Sequence, residues 1–213
     1  MHFVITGANR GIGLEFCRQA LARKLSVTAL CRQTSPELSA LGCRVVEGFD
    51  VCNPPDLSSL GSVDFLILNA GIWRDESLES MNFETMREQF EVNTLGPLRV
   101  VTKLYSHLRE GSKVALMTSQ MGSMADNSSG GRYGYRSSKA ALNSIGVSLA
   151  RDLEKRGIAV GLFHPGYVAT DMTQHRGSLS TQESVAGLFR VLDNLNLKNT
   201  GTFWNYRNEV LPW

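Results

Sequence analysis

A phenol and an amine stand four residues apart in Tyr133-Gly-Tyr-Arg-Ser-Ser-Lys139-Ala-Ala-Leu-Asn143. The stretch reads as the start of a helix. There, a four-residue spacing puts Tyr135 and Lys139 on one face, about 6 Å apart. A free phenol titrates near pH ~10, too high for an efficient proton donor at neutral pH. A fixed ammonium beside it favours the phenolate and lowers that value. The pair therefore reads as a proton-transfer device. Tyr133 is an internal control, because position 137 is Ser and gives it no lysine one turn on. The alternative for Tyr135 is a core tyrosine beside a solvated lysine, and other stations along the chain bear on that choice.

The first station is Thr6-Gly-Ala-Asn-Arg-Gly-Ile-Gly13, which follows a short apolar strand at 2–6 and opens an amphipathic helix to about residue 24. Strand, glycine turn and helix form the context of a dinucleotide-binding motif. Glycines let the backbone approach a pyrophosphate, and the helix N-terminus offers N–H groups and a positive dipole end. The spacing is G-x-x-x-G-x-G rather than G-x-G-x-x-G, and a turn that merely joins strand to helix is the plainer reading. A second strand spans 25–31. At its end an NAD site would offer an acid to the ribose 2′-hydroxyl. Positions 28–34 hold no acid but do hold Arg32. With Arg10 in the glycine turn, two guanidiniums are expected to clamp a 2′-phosphate, unless both are solvated surface arginines. NADP(H) is favoured over NAD(H).

The elements that must position these groups alternate. A third strand at 43–48 leads to Asp50 and Val51, and Asn53-Pro-Pro55 breaks the chain before a short helical turn. The apolar run at 63–68 reads as a buried parallel strand ending in Asn69-Ala70-Gly71. Residues 82–110 read as one helix, weak at Gly96-Pro97, with Asn93 as a poor helix-interior residue suited to a local polar task. A fifth strand at 113–118 ends at Ser119. The glycine- and serine-rich loop that follows carries Met121 and Met124, which together with Trp73, Tyr167 and Met172 could line an apolar pocket or lie in the core. Then come a helix at 133–156, a strand at 157–163, the loop His164-Pro-Gly-Tyr-Val-Ala-Thr-Asp171, a helix near 181–193 and a short strand at 201–205. This alternation predicts an α/β fold: a Rossmann-type doubly wound parallel sheet of about seven strands in three αβα layers. The expected organisation is a single NADP-binding domain over 1–213, with a short substrate loop near 170–181.

Composition narrows the class. Hydrophobic residues make up 42% and charged residues 20%, as in a globular protein. A net charge of +2 argues against a nucleic-acid or membrane surface. Cys17, Cys31, Cys43 and Cys52 form no C-x-x-C pair and read as free thiols in a reducing compartment, which points to the cytoplasm. The histidines show no metal-ligand spacing, so no metal is expected. No secretory leader is read at the N-terminus, and no apolar run approaches the ~20 residues that span a bilayer.

Taken in order, these stations resemble the short-chain dehydrogenase/reductase family. The matching pieces are Thr6-Gly-Ala-Asn-Arg-Gly-Ile-Gly13, Asn69-Ala-Gly71, Asn93, Ser119, Tyr135-x-x-x-Lys139 and Pro165-Gly166. The run Thr118-Ser-Gln-Met-Gly-Ser-Met124 and the ending Val210-Leu-Pro-Trp213 are similar to the sniffer-type carbonyl reductases and the C-factor (C-signal) proteins. The resemblance implies carbonyl reduction by hydride transfer, with Tyr135 as general acid, Ser119 on the substrate oxygen and Lys139 tuning the tyrosine and holding the ribose. Asn93 would anchor a water linking Lys139 to solvent. Gly7, Asn9, Arg10, Gly11, Ile12 and Gly13 would face the pyrophosphate region. Asp50 and Val51 would contact adenine with Asn69 beside them, Val168 and Thr170 would face the carboxamide, and Ala70, Gly71, Pro165 and Gly166 would also bind the cofactor. The implied partners are a small carbonyl or alcohol substrate and a second copy of the chain, through the 93–110 and 133–156 helices. Intercellular signalling or nucleotide sensing on the same fold is the alternative function. Three features depart from the family pattern: Leu68 replaces one asparagine of the usual pair, the loop after Ser119 is longer, and the segment after Thr170 is short.

Overall fold

Runs such as Phe65-Leu-Ile-Leu68 have no polar face, so a sheet built from them must be covered on both sides. In the computed structural model, which describes residues 1–213, this is what happens. Seven strands, all paired in parallel, take the order β3-β2-β1-β4-β5-β6-β7. They are β1 (His2–Thr6), β2 (Ser26–Leu30), β3 (Arg44–Val46), β4 (Val63–Leu68), β5 (Leu108–Met117), β6 (Ala159–His164) and β7 (Phe203–Asn205). The helices are α1 (Gly11–Ala22), α2 (Pro36–Ser39), α3 (Phe83–Phe90), α4 (Gly96–Leu104), α5 (Tyr133–Glu154) and α6 (Thr181–Asn194). One core, with Phe3, Phe16, Phe65 and Phe189, lies under α1 and α6. The other, with Leu66, Val100, Leu104, Leu142 and Leu162, lies under α4 and α5. The two are nearly equal, at 23 and 22 buried residues, so the sheet is the middle of three layers. No helix is long and apolar enough to cross a membrane.

Strand order reverses between β1 and β4, and in sheets of this kind the crevice for a ligand opens there, beyond the carboxyl ends of the strands. The expected doubly wound sheet is thus present, with differences at its edges. The helix predicted for 82–110 is α3 and α4 joined by a widened turn over residues 91–95, with a short 3₁₀ turn at 105–107. The strand predicted from 113 begins at Leu108, and its pairing with β4 shifts register between Val63 and Phe65. Helix α2 was not anticipated. Ser35 caps it by accepting a hydrogen bond from Leu38 N at 3.1 Å, and proline stands in its first turn.

Helix α5 approaches the sheet closely because its facing residues are small. A Cβ on Gly146 would come within 2.6 Å of Leu162 Cδ2 and 2.7 Å of Leu116 Cδ1. Gly146→Ala is expected to cost about 1–3 kcal/mol through overpacking, although alanine is the better helix former. Urea unfolding of the two proteins measures it; a neutral or stabilising result would show that α5 has room to move outward.

Candidate active site

Beyond the strand ends lie two adjoining cavities. The larger, about 950 Å³, runs from Arg32 and Glu47 past Gly7, Gly11, Asn69 and Gly71 to Tyr135 and Lys139. The smaller, about 450 Å³, is lined by Trp73, Ser119, Met121, Tyr135, His164 and Tyr167 among others. Tyr135 stands in the wall of both, Lys139 in the larger and Ser119 in the smaller. The three polar groups named from sequence therefore meet where one space opens into the other.

Tyr135 is 8% exposed and stacks on Trp73 at 5.3 Å between ring centroids. Lys139 Nζ lies 5.8 Å from the Tyr135 ring centroid and donates to the Met117 carbonyl at 2.8 Å. The expected depression of the phenol by the neighbouring ammonium is not the leading effect. Burial pushes Tyr135 up to about 12, and the Ser119 hydroxyl pulls in the other direction. Burial brings Lys139 down to about 8, because an ammonium loses hydration there. Phenol and amine are thus both held towards their neutral forms. Asn93 sits in the widened turn, fully buried. Its Oδ1 accepts from Ile72 N at 2.8 Å, and its Nδ2 donates to Ile72 O at 2.9 Å and to Ser138 Oγ at 3.1 Å. That side chain braces the loop after β4 and does not line either cavity.

The glycine turn is a cradle that fits a pyrophosphate. Gly7 and Gly11 have φ of +64° and +54° and line the larger cavity with Asn9, Arg10 and Ile12. Helix α1 begins there with no side-chain cap and no acid in its first turn, leaving its N–H groups and positive dipole end for an anion. Gly13 differs from the expectation. It lies behind the wall, where a Cβ would come within 2.2 Å of Gly7 O, so its task is to let helix α1 lie close against the turn at Gly7 and the Asn69 side chain. Asn69 Nδ2 donates to Thr6 O and Gly7 O, each at 3.2 Å, and ties the turn to β4. Asp50, Val51, Ala70 and Gly71 line the same cavity, as do Pro165 and Thr170; Pro165 and Thr170 also line the smaller one, with Gly166 and Val168.

At the far end Arg32 is exposed and forms no ion pair. Glu47 stands near it, but its carboxylate accepts from Thr34 N at 3.0 Å. Arg10, expected to share a clamp with Arg32, instead pairs with Asp171 at 3.0 Å. That pair joins the glycine turn to the short substrate loop. The loop is stitched at its base, Ala169 N donating to Leu179 O and Leu179 N to Tyr167 O. Met124, offered as a pocket residue, is 76% exposed and lines neither cavity. Sequence reading missed Glu76. This buried carboxylate accepts from Gly134 N at 3.1 Å, from Gln89 Nε2 at 2.7 Å and from Thr85 Oγ1 at 2.8 Å. It anchors the first turn of α5 at Gly134, the residue before Tyr135, and nothing in its local sequence signals that. Asn143 was also missed, although it lies four residues beyond Lys139 on the same face. Its Oδ1 accepts from Thr118 Oγ1 at 2.6 Å. No group of three His, Cys, Asp or Glu is placed to hold a metal.

A family model of short chain dehydrogenases matches residues 57–180. Among curated relatives, 1-hydroxy-2-glutathionyl-2-methyl-3-butene dehydrogenase of Rhodococcus sp. (strain AD45) is 37% identical, the alignment covering 99% of this chain and 98% of the relative. C-signal of Myxococcus xanthus is 43% identical over 72% of this chain and 94% of its own. Among solved structures, a carbonyl reductase from Pseudomonas aeruginosa PAO1 in complex with NADP superimposes with TM-score 0.87 at 34% identity, covering 100% of both chains. Carbonyl reductase Sniffer of D. melanogaster gives 0.91 at 25% identity, covering 100% of this chain and 99% of its own.

His164, at the end of β6, is a titratable group in the smaller cavity wall. Its Nδ1 is buried without a partner, and burial brings the ring down to about 4, with Asp126 acting weakly the other way. The unfolded chain takes up a proton near pH ~6.5 and the folded one only near 4, so the stability it confers is present above ~6.5 and lost as pH falls towards 4. Between pH 7 and 4.5 that loss is about 2 kcal/mol. Urea unfolding at both pH values should show it in the native protein and a smaller loss in His164→Gln; equal losses would remove His164 as the source.

Proposed function

The chain belongs to the short-chain dehydrogenase family of oxidoreductases, and on that footing we propose that it reduces a small carbonyl compound to the alcohol with NADP(H). One observation carries this reading. The phenol of Tyr135 lies in the wall shared by a dinucleotide-sized cavity and a substrate-sized one, with Ser119 on one side and Lys139 on the other. A reduced nicotinamide, when bound, supplies the hydride that the carbonyl carbon takes. Tyr135 gives its phenolic proton to the carbonyl oxygen, and Ser119 donates a hydrogen bond to the same oxygen as charge develops on it. A phenol held near 12 stays protonated across the physiological range and is ready to donate. Lys139, near 8, exchanges a proton at neutral pH and restores the tyrosine. Asn93 acts by holding Ile72, and so the wall at Gly71, against that amine. The reverse reaction, oxidation of an alcohol, uses the same groups with Tyr135 as base.

NADP(H) is the favoured cofactor because Arg32 lies unpaired where a ribose 2′-phosphate would sit and the nearby acid is engaged by Thr34 N. NADP-bound relatives of the same fold agree with that choice. A single domain over 1–213, a cytoplasmic location for its four free thiols and a homodimer through the 93–110 and 133–156 helices belong to the same proposal. The signalling alternative draws only on likeness to C-signal, whereas a binding module has no use for a buried hydroxyl, phenol and amine in one place.

Tyr135→Phe should lower kcat for carbonyl reduction by about 10²–10⁴-fold while NADPH binding stays measurable. Stopped-flow turnover and a fluorescence titration read the two separately, and retained turnover would remove Tyr135 as the acid. Arg32→Asp should raise the Kd for NADPH by about tenfold or more and that for NADH much less. Equal weakening of both dinucleotides would show that Arg32 does not read the 2′-phosphate.

A further inference from the structure

The smaller cavity is not a neutral slot. Apart from the phenols of Tyr135 and Tyr167, its titratable groups belong to Arg132, Arg136, His164 and Asp126. Arg132 is accounted for, since its Nε donates to Asp75 at 3.2 Å and its guanidinium lies over the Trp73 ring at 5.3 Å. His164, held near 4, is neutral at physiological pH. Arg136 is different. Its Nη1 donates to Met121 O at 3.3 Å and its Nη2 to Ser129 Oγ at 2.9 Å, both uncharged acceptors. Its Nε is buried without a partner. Asp126, the one acid in the wall, is exposed and forms no ion pair with it.

A half-buried guanidinium with no counter-ion is unfavourable unless something anionic joins it. Of its five N–H groups, two face Met121 and Ser129 and one is the buried Nε, which leaves one on each Nη. Those two hydrogens are available to an anionic oxygen group. Ser129 accepts from Arg136, so its own hydroxyl proton is free to join the same anion, and Ser128 stands beside it in the wall. Arg136 lines this cavity together with Tyr135, so cation and proton donor face one space.

We propose that Arg136 is a specificity residue that binds an anionic oxygen group, a carboxylate before a phosphate, carried by the carbonyl substrate. This rests on the carbonyl-reducing reading of the same cavity. The neutral walls around it, Trp73, Met121 and Met172, would take the apolar body of such a substrate.

The test compares 4-carboxybenzaldehyde, its methyl ester and 4-formylphenyl phosphate as substrates with NADPH. In the native protein kcat/KM should favour the acid over the ester by about tenfold or more, and in Arg136→Met that ratio should fall to about one. Arg136→Gln, which keeps a donor for the Met121 carbonyl, serves if the first variant does not fold. A phosphate preference lost in the same variants upholds the site and assigns it to phosphate. No preference for either anion, or one that survives both substitutions, overturns it. If none of the three aldehydes is reduced, it is the carbonyl reading that has failed. Calorimetric binding of 4-carboxybenzyl alcohol then judges the site: affinity about tenfold weaker in the Arg136 variant supports it, and equal affinity refutes it.

Discussion

An amine with 5% exposure has to be held by something other than water, and in this protein the holder is the carbonyl of Met117 at the end of β5. The rest of the site follows from that contact. It requires α5 to lie against the strand ends, which it does through positions where a side chain would not fit. A Cβ on Gly122 would meet Lys139 C at 2.8 Å, and one on Gly146 would meet the leucines of β5 and β6. Once α5 is seated, Tyr135 one turn earlier has no choice but to stand at the junction of the two cavities. The burial that seats the pair also sets its chemistry, lowering the proton affinity of the amine and raising that of the phenol.

Strand ends leave backbone groups without ladder partners, and the protein pairs them with side chains that also shape the site. Thr6 Oγ1 accepts from Asn69 N and Ala70 N, joining the first strand end to the fourth. Asn93 takes both backbone groups of Ile72. Glu76 takes Gly134 N at the start of α5. Each bridge spans segments far apart in the chain, so the cavity walls are set by polar contacts of defined length, while the apolar layers beneath determine only that the helices lie near the sheet.

The fold was largely legible in the sequence, because continuous apolar runs and helical stripes alternate along it and a parallel sheet is the way to bury both faces of such strands. The edges were less so. Helix α2 and the early start of β5 depend on local turns and on pairing with β4, which periodicity does not report. In the site, Gly7, Gly11, Tyr135 and Lys139 line the larger cavity, and Ser119 and Tyr135 the smaller one. Gly13 turned out to face the Gly7 carbonyl and the Asn69 side chain, Arg10 the substrate loop and Met124 the solvent. Glu76 and Arg136 carried no signal, one being an acid in a loop and the other a lysine-like surface residue by composition.

Residue type and spacing alone determined which chemistry was within reach: a phenol and amine one turn apart, a hydroxyl at a strand end and a glycine turn opening a helix. These are local facts, fixed by the geometry of a helix or a strand and independent of what packs against it. Which group is buried, which backbone atom it faces and which charge is left without a partner were decided by tertiary structure. Proton affinity and ion pairing depend on the atoms within a few ångströms, and here those atoms come from distant segments, as in the pair of Arg10 with Asp171, 161 residues apart.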